Sequence, residues 1–261
     1  MIAERTSLFG VVTQPDRPAG RGHKLTPTPV KAAALELGLR VFEPAKLKPF
    51  AEEVRGETFD LFALASYGKI LPQSLLDLPR LGALNVHPSL LPKYRGATPI
   101  QSALLNGDSE TGVSIMLMDA GMDTGPLVLQ ERVPIEETDT YGTLHDGLAF
   151  YGGELLGEAL DRAERGDLHA SPQQGNATVT KPIGKDDLNI DWSWSPEKIV
   201  HVVRAFSPQP GARAQMNGET VKVIRAHVDG ERVVIDELIA PNRGRMTGEA
   251  YEQSRRDREG A

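Results

Sequence analysis

The sequence contains no cysteine, which excludes disulfides, thiolate catalysis and cysteine-bound zinc or iron–sulfur centres. No apolar run approaches the roughly 20 residues that are needed to span a bilayer. The N-terminus also lacks the charged segment and the apolar segment that make up a secretory signal. These absences together indicate a cytoplasmic enzyme.

Several catalytic signatures are missing as well. The chain has no G-x-G-x-x-G after a strand, no G-x-x-x-x-G-K-[ST], no H-E-x-x-H and no G-x-S-x-G. This argues against dinucleotide-dependent redox enzymes, P-loop NTPases, zinc proteases and serine hydrolases. The formal net charge of -7 weighs mildly against a nucleic-acid binder. Residues 1–31, however, hold five basic and two acidic side chains, a local balance of 5 − 2 = +3.

Apolar runs alternate with helix signals over most of the chain, which predicts an α/β domain with a mainly parallel sheet. The longest predicted helix covers 140–165, where Leu144, Leu148, Tyr151, Leu155 and Ala159 mark one buried face. The predicted strands are 7–13, 41–42, 60–66, 83–86, 113–118 and 127–133, and the other predicted helices are 28–38, 72–78 and 98–107.

The pattern changes in the last third of the chain. A polar, irregular stretch at 171–189 predicts a linker, and a short helix with Ser195 as its N-cap follows. Strands at 212–216, 220–226 and 232–239, joined by Asn-Gly and Asp-Gly turns, predict a small antiparallel β module. We therefore expect a catalytic domain at 1–170, a linker at 171–194 and a β domain at 195–261.

The segment LNVHPSLLPKYRG at 84–96 is the most informative part of the chain. Alternate side chains of a strand share a face, so Asn85 and His87 are expected to point to the same side. Ligands and catalytic groups in open α/β sheets gather at the carboxyl ends of strands, which favours His87 over the other histidines. An amide can donate a hydrogen bond to a carbonyl oxygen, and an imidazole can move a proton.

A carboxylate is available in the segment MDAGMDTG at 118–125. Taken alone, Asp119 and Asp123 are both typical turn formers beside Gly121 and Gly125, and the residues by themselves leave the choice between them open. Together with the amide and the imidazole, one carboxylate suits acyl-type transfer without a covalent nucleophile.

Two basic features also allow alternative interpretations. The Pro-, Gly- and Arg-rich segment 15–31 is either a solvated surface loop or a functional one, since long structureless loops in compact domains are often functional. Arg95 either belongs to a turn before a helix or contacts an anion.

The sequence resembles a known family at these same motifs. NVHPSLLPKYRG, with MDAGMDTG downstream, resembles the folate-dependent formyltransferases. Within that superfamily, TQPDRPAGRGHKLTPTPVK at 13–31 closely resembles the methionyl-tRNA formyltransferase family. The segments ASYGKILP, GATPIQ and IDWS resemble the same family, so the similarity covers nearly the whole chain.

The resemblance implies formyl transfer from 10-formyltetrahydrofolate, a donor co-substrate, to the α-amino group of methionine on initiator tRNA, without a metal. It implies that Asn85, His87 and Asp123 are the catalytic group. The implied donor-binding residues are Ser89, Leu90, Leu91, Pro92, Asp119 and Gly121, and the implied tRNA contacts are Arg17, Arg21, Lys24 and Arg95.

The resemblance also implies a Rossmann-like formyltransferase domain followed by a small, shortened, OB-like antiparallel β-barrel that binds tRNA, in a monomer without membrane contact. Family members have a strand, a G-T-P-like turn and a helix before the segment that matches position 7, and residues 1–6 resemble only the end of that helix. Residues 207–261 are shorter than the family's C-terminal barrel. We therefore expect a chain that lacks the N-terminal strand–helix unit and part of the C-terminal domain, or one whose start was assigned too late.

Two alternatives share these motifs. An amino-sugar N-formyltransferase would use the same site chemistry, although the basic loop would then have no purpose. An inactive tRNA-binding remnant would bind tRNA in a salt-sensitive way without binding folate.

Overall fold

The computed structural model describes residues 6–19 and 24–259. The chain forms two compact units, each built from three segments. The first unit comprises residues 1–87, 115–129 and 154–172, and the second comprises 88–114, 130–153 and 173–261. The domains expected from the sequence, divided at 170 and 195, are continuous in the chain, whereas these units are not. The expected division stays a prediction.

Strands and helices are interspersed over the first 165 residues. In chain order they are β1 (Val11–Val12), β2 (Arg17–Ala19), β3 (Lys24–Thr26), α1 (Pro29–Glu36), β4 (Val41–Phe42), α2 (Leu47–Glu53), β5 (Phe62–Ala65), α3 (Gln73–Leu76), β6 (Ala83–His87), α4 (Pro99–Leu105), β7 (Glu110–Leu117), β8 (Leu127–Pro134) and α5 (Tyr141–Glu164). A 3₁₀ turn (Asp186–Leu188) precedes α6 (Pro196–Phe206), β9 (Ala212–Met216), β10 (Glu219–Asp229), β11 (Arg232–Ala240), β12 (Gly244–Thr247) and α7 (Gly248–Glu259).

Parallel pairing in the first half confirms the expected α/β fold. β1 pairs with β4 and β5 with β6, both in parallel. β5, β6, β7 and β8 lie in that order in one sheet. β7 and β8 form a hairpin, since the Leu117 N–H donates to the Pro126 carbonyl at one end and the Ile135 N–H donates to the Ser109 carbonyl at the other.

Two apolar clusters hold the first unit together. One lies around α2 and contains Leu47, Phe50 and Val54, with Val12 and Phe62 packed against it. The other joins Leu84 and Ile115 of the sheet to Leu156 and Ala159 of α5. Burial of each large aliphatic side chain stabilises the fold by roughly 1.5–3 kcal/mol relative to exposure.

The structure differs from the predicted elements in several places. The strand expected at 7–13 pairs only at Val11–Val12. The loop after it contains a short antiparallel hairpin, β2–β3, in place of the expected irregular chain. On α5 the predicted face is buried at Leu144, Leu148 and Ala159, but Tyr151 is 43% exposed, and Leu156 is buried whereas the predicted Leu155 is half-buried. Because the helical repeat does not match a fixed three–four spacing, the buried positions shift around the surface of a long helix.

The expected antiparallel module is confirmed as a four-stranded sheet in the order β12-β11-β10-β9. Asn217 and Gly218, both at positive φ, form the tight turn between β9 and β10, as the Asn-Gly pair predicts. α6 packs against β10 and buries Ile199, Val202, Val203 and Phe206. Its N-cap is Ser195, whose hydroxyl accepts the Lys198 N–H at 3.3 Å.

Among the described residues, none of the helices has both the length and the apolar character of a membrane span.

Candidate active site

Strand β6 positions two of the predicted side chains. Leu84 and Val86 pack into the cluster against α5, so they share one face of the sheet. Alternation along the strand therefore directs Asn85 and His87 to the opposite face, as the sequence predicts. His87 is 4% exposed, and Asn85 is half-buried.

The loop after β7 brings a carboxylate to this face. The Oδ2 atom of Asp123 lies 3.7 Å from Nδ1 of His87, and the two side chains are 17% and 5% exposed. That distance suits an ion pair with a protonated imidazole and is longer than a hydrogen bond. A carboxylate at this distance can orient the imidazole and pair with the ring when it carries a proton, which suits a group that accepts and returns a proton.

Asp119, the other carboxylate of this loop, is used within the loop itself. Its Oδ1 atom accepts the Gly121 N–H at 2.9 Å and the Thr124 hydroxyl at 2.7 Å. The structure thus distinguishes the two acids that the sequence alone left open. Asp123 faces the histidine, whereas Asp119 closes the turn.

The segment Ser89–Pro92 lies in the second unit and is held by buried hydroxyls. The fully buried Ser89 donates to the Lys93 carbonyl at 2.6 Å, and its own carbonyl accepts the Ser114 hydroxyl at 2.6 Å. Ser114 also accepts the Leu91 N–H at 3.2 Å, and the Gln130 amide donates to the Leu91 carbonyl at 3.0 Å. Sequence reasoning missed Ser114 and Gln130, which lie on other strands and carry no local motif.

The predicted tRNA contacts are distributed differently. Arg17 is exposed on β2, and Lys24 begins β3 of the same hairpin. Arg21 lies outside the described residues. Arg95, in the second unit, donates through Nε and Nη2 to the Gln173 side-chain oxygen at 3.1 and 2.7 Å. Two of the five guanidinium N–H groups therefore already have an acceptor.

Two further polar side chains of the first unit, Gln14 and Tyr67, were not among the site residues named from the sequence. The Gln14 amide donates to the Tyr67 carbonyl at 3.0 Å, joining the segments that follow β1 and β5. Burial raises the pKa of the Tyr67 hydroxyl. Within the described part of the chain, this hydroxyl and Oε1 of Gln14 are buried without a hydrogen-bond partner. The segment ASYGKILP contained the signal for Tyr67, but only through its resemblance to a family.

Across the described ranges, histidine and acidic side chains form no cluster of three or more that could hold a metal ion. The groups gathered in the first unit are an amide, an imidazole and a carboxylate, which can donate a hydrogen bond, move a proton and orient the ring.

Comparison with protein families matches residues 3–160 to the family described as formyl transferase. Residues 182–255 match the formyl transferase C-terminal domain. The chain belongs to the formyl transferase family. The resemblance stated from the sequence motifs is thereby confirmed.

This formyl transferase is 45% identical over 224 residues to a methionyl-tRNA formyltransferase of Marinobacter nauticus. The match covers 84% of the chain and 71% of the relative, so the chain spans less than the relative's full length.

Solved structures show the same fold as this formyl transferase. The methionyl-tRNA formyltransferase from Clostridium thermocellum has a TM-score of 0.62 at 16% identity, and the match covers 90% of this chain and 100% of that one. HypX from Aquifex aeolicus, in complex with tetrahydrofolic acid, has a TM-score of 0.63 at 18% identity, over 90% of this chain and 43% of that chain.

Proposed function

We propose that the protein transfers a formyl group from 10-formyltetrahydrofolate to the α-amino group of methionine esterified to initiator tRNA. The observation that carries the proposal is the Asn85–His87 face of β6, with the Asp123 carboxylate 3.7 Å from the imidazole. The 45% identity to a methionyl-tRNA formyltransferase supports the choice of acceptor.

The chemistry requires little beyond these three groups. The amine nitrogen bonds to the formyl carbon, and the carbonyl oxygen becomes negative in the tetrahedral intermediate. Asn85 donates a hydrogen bond to that oxygen, a role whose loss typically costs roughly 10²–10³ in rate. The carbon then separates from the folate nitrogen, while one proton leaves the amine and one reaches the departing nitrogen. His87 transfers protons in these steps, a contribution of roughly 10²–10⁴.

Asp123 orients the imidazole and pairs with the ring while it holds the transferred proton. The donor molecule supplies the activated carbon, and the protein supplies positioning and electrostatics, so the proposal needs no metal.

The proposed donor-binding residues belong to two segments. Ser89–Pro92 is held in shape by the hydroxyls of Ser89 and Ser114. Asp119 and Gly121 belong to the loop that holds Asp123. HypX, which has the same fold, binds tetrahydrofolic acid, and this supports a folate as the donor.

The proposed tRNA contacts are Arg17, Arg21, Lys24 and Arg95, together with the β domain at 195–261. Recognition of RNA favours ends and unpaired bases, and a basic hairpin suits an acceptor end. Since translation starts in the cytoplasm, we expect the enzyme there, as a monomer without membrane contact.

The test is formyl transfer by the purified chain from 10-formyltetrahydrofolate to charged initiator tRNA. We expect formylmethionyl-tRNA, and a fall in kcat of at least roughly 10² in His87→Ala. His145→Ala is the matched control, because His145 is a histidine on the exposed surface of α5 whose ring contacts Asp146 and Tyr141. Full activity in His87→Ala would refute the mechanism.

Turnover of nucleotide-linked amino sugars with none on tRNA would favour the amino-sugar enzyme. Salt-sensitive tRNA binding with no folate binding and no turnover would favour the remnant.

A further inference from the structure

In the loop between β7 and β8, the carboxylate of Asp119 accepts hydrogen bonds from residues on both sides of Asp123. Asp119, four residues before Asp123, accepts the hydroxyl of Thr124, the residue directly after it, at 2.7 Å. The same oxygen accepts the Gly121 N–H at 2.9 Å. These two bonds fix the ends of the short segment that contains Asp123.

Two glycines leave the space that this arrangement needs. A Cβ atom on Gly121 would lie 1.9 Å from the Thr124 hydroxyl oxygen, so a side chain there would displace the bond to Asp119. A Cβ atom on Gly125 would lie 1.7 Å from the Leu117 carbonyl oxygen, where the loop returns to the sheet. The loop can therefore close in this form only with glycine at both positions.

The backbone conformation of Asp123 is itself unfavourable. Its φ of 53° lies in the left-handed region, which is unfavourable for residues other than glycine although Asp tolerates it better than most. Such a conformation persists only where surrounding contacts enforce it. The Asp119–Thr124 bond is a contact that encloses this residue.

We propose that Asp119 and Thr124 are positioning residues that hold the Asp123 carboxylate against His87. The proposal rests on the function proposed above, in which Asp123 orients the imidazole. It assigns the Asp119 side chain to the loop, whereas the resemblance and the donor-binding set proposed above assign Asp119 to the folate donor. A positioning role predicts a lower kcat, whereas a donor-binding role predicts a higher KM for the folate donor.

The kinetic test uses pairs of variants that separate the hydrogen bond from size and charge. Thr124→Val removes the hydroxyl at nearly constant volume, and Thr124→Ser keeps it. Asp119→Ala removes the acceptor, and Asp119→Asn removes the charge but keeps an acceptor oxygen. We expect Thr124→Val, which removes one hydrogen bond, to lower kcat roughly 3- to 10-fold, with the KM for 10-formyltetrahydrofolate within about twofold. Asp119→Ala removes two hydrogen bonds and should lower kcat at least as much, with the same small change in KM.

Thr124→Ser and Asp119→Asn should restore most of kcat. Thr58→Val is the matched control, because Thr58 is exposed in a loop before β5. A second measurement asks whether the effect passes through Asp123. In an Asp123→Asn background, Asp119→Ala should cost no further activity, because residues that act through one group are not additive.

A readout without turnover keeps this proposal separate from the proposed function. The His87 imidazole resonances are identified by their loss in His87→Ala. The midpoint of their pH titration should shift in the same direction in Thr124→Val and in Asp123→Asn. If the wild-type chain formylates no tRNA, the proposed function fails, and this titration still decides the positioning role.

Unchanged resonances in Thr124→Val overturn the proposal. So does a rise in the KM for the folate donor without a fall in kcat for Asp119→Ala, which would place Asp119 on the donor.

Discussion

Asn85 lies on the same face of β6 as the buried His87, but its own side chain is only half-buried. An amide at that position can donate a hydrogen bond to the formyl oxygen, and this bond strengthens as the oxygen becomes negative in the transition state. We expect Asn85→Ala to lower kcat by roughly 10²–10³, with a smaller change in KM. Steady-state kinetics at saturating folate donor measures this.

The matched control for this prediction is Asn176→Ala, which removes an exposed amide from the polar segment after residue 171. Asn85→Asp tests the direction of the hydrogen bond, because an ionised carboxylate can only accept. An Asn85→Asp enzyme as active as the wild type would contradict the role of a donor.

At this scale the sequence predicted the imidazole better than the carboxylate. His87 follows from strand alternation and from its place at the end of β6, and both are local properties. The choice of Asp123 over Asp119 depends on a loop whose shape is set by a carboxylate–hydroxyl bond to Thr124. Ser114 was not predicted because its partners lie 23 and 25 residues away in the chain.

α6 offers a test at the scale of an element. The ring of His201 lies over Gly107, where a Cβ atom would come within 2.4 Å of it. Burial, and then the nearby positive charge of Arg204, hold the pKa of His201 below its usual 6.5. As the pH falls below 6.5, the unfolded chain takes up this proton before the folded one does. The free energy of unfolding should therefore decrease from about pH 6.5 downward.

Urea unfolding between pH 7.5 and pH 5 measures this slope. His201→Gln should flatten it, because glutamine has no proton to gain. His169→Gln, at a site whose side chain is 86% exposed, should leave it unchanged. A slope that is equal in the wild type and in His201→Gln would show that other groups cause it.

The C-terminal sheet carries a row of cations that differ in their partners. Arg213 of β9 lies opposite Lys222 of β10, and the same row continues through Ile239 to Arg245 of β12. Arg245 is paired with Glu237. For Arg213 and Lys222, the described residues provide no carboxylate partner, although like charges directly opposite each other destabilise a sheet. A surface that keeps two adjacent cations without partners suits the phosphates of an RNA.

We expect Arg213→Gln and Lys222→Gln each to weaken tRNA binding. Each should also reduce the slope of log affinity against log salt by about 0.7–0.9, since one phosphate contact is lost. Arg245→Gln is the matched control, because its charge is already neutralised. Filter binding over a salt series measures both quantities, and an equal effect of all three variants would contradict the distinction.

Elements with complete local signals were predicted from the sequence, and elements without them were not. α6 has a serine cap and proline in its first turn, and the turn between β9 and β10 has Asn-Gly. α2 was not predicted: its N-cap, Lys46, makes no side-chain cap, and Pro49 interrupts its helix signal. Its burial of Leu47, Phe50 and Ala51 shows that tertiary packing decides it.

On the scale of the whole chain, the strand edges of the first unit favour association between chains. Over the residues that the structure describes, β1 pairs only with β4, and β5 pairs within its sheet only with β6. Such edges present unpaired N–H and C=O groups, and apolar side chains beside them favour pairing with another chain. Phe9, just before β1, is 36% exposed. We therefore expect the monomer in dilute solution.

We expect light scattering to show association that rises with protein concentration, and Ala63→Lys to reduce it several-fold. Ala63 is exposed on β5, and a lysine there blunts the edge as charges do in natural sheets. Ala177→Lys adds the same charge in the exposed polar segment after α5 and separates edge blocking from a change in net charge. If both lysine variants reduce association equally, net charge rather than strand pairing governs it. A wild-type chain that stays monomeric at all concentrations would contradict the role of the strand edges.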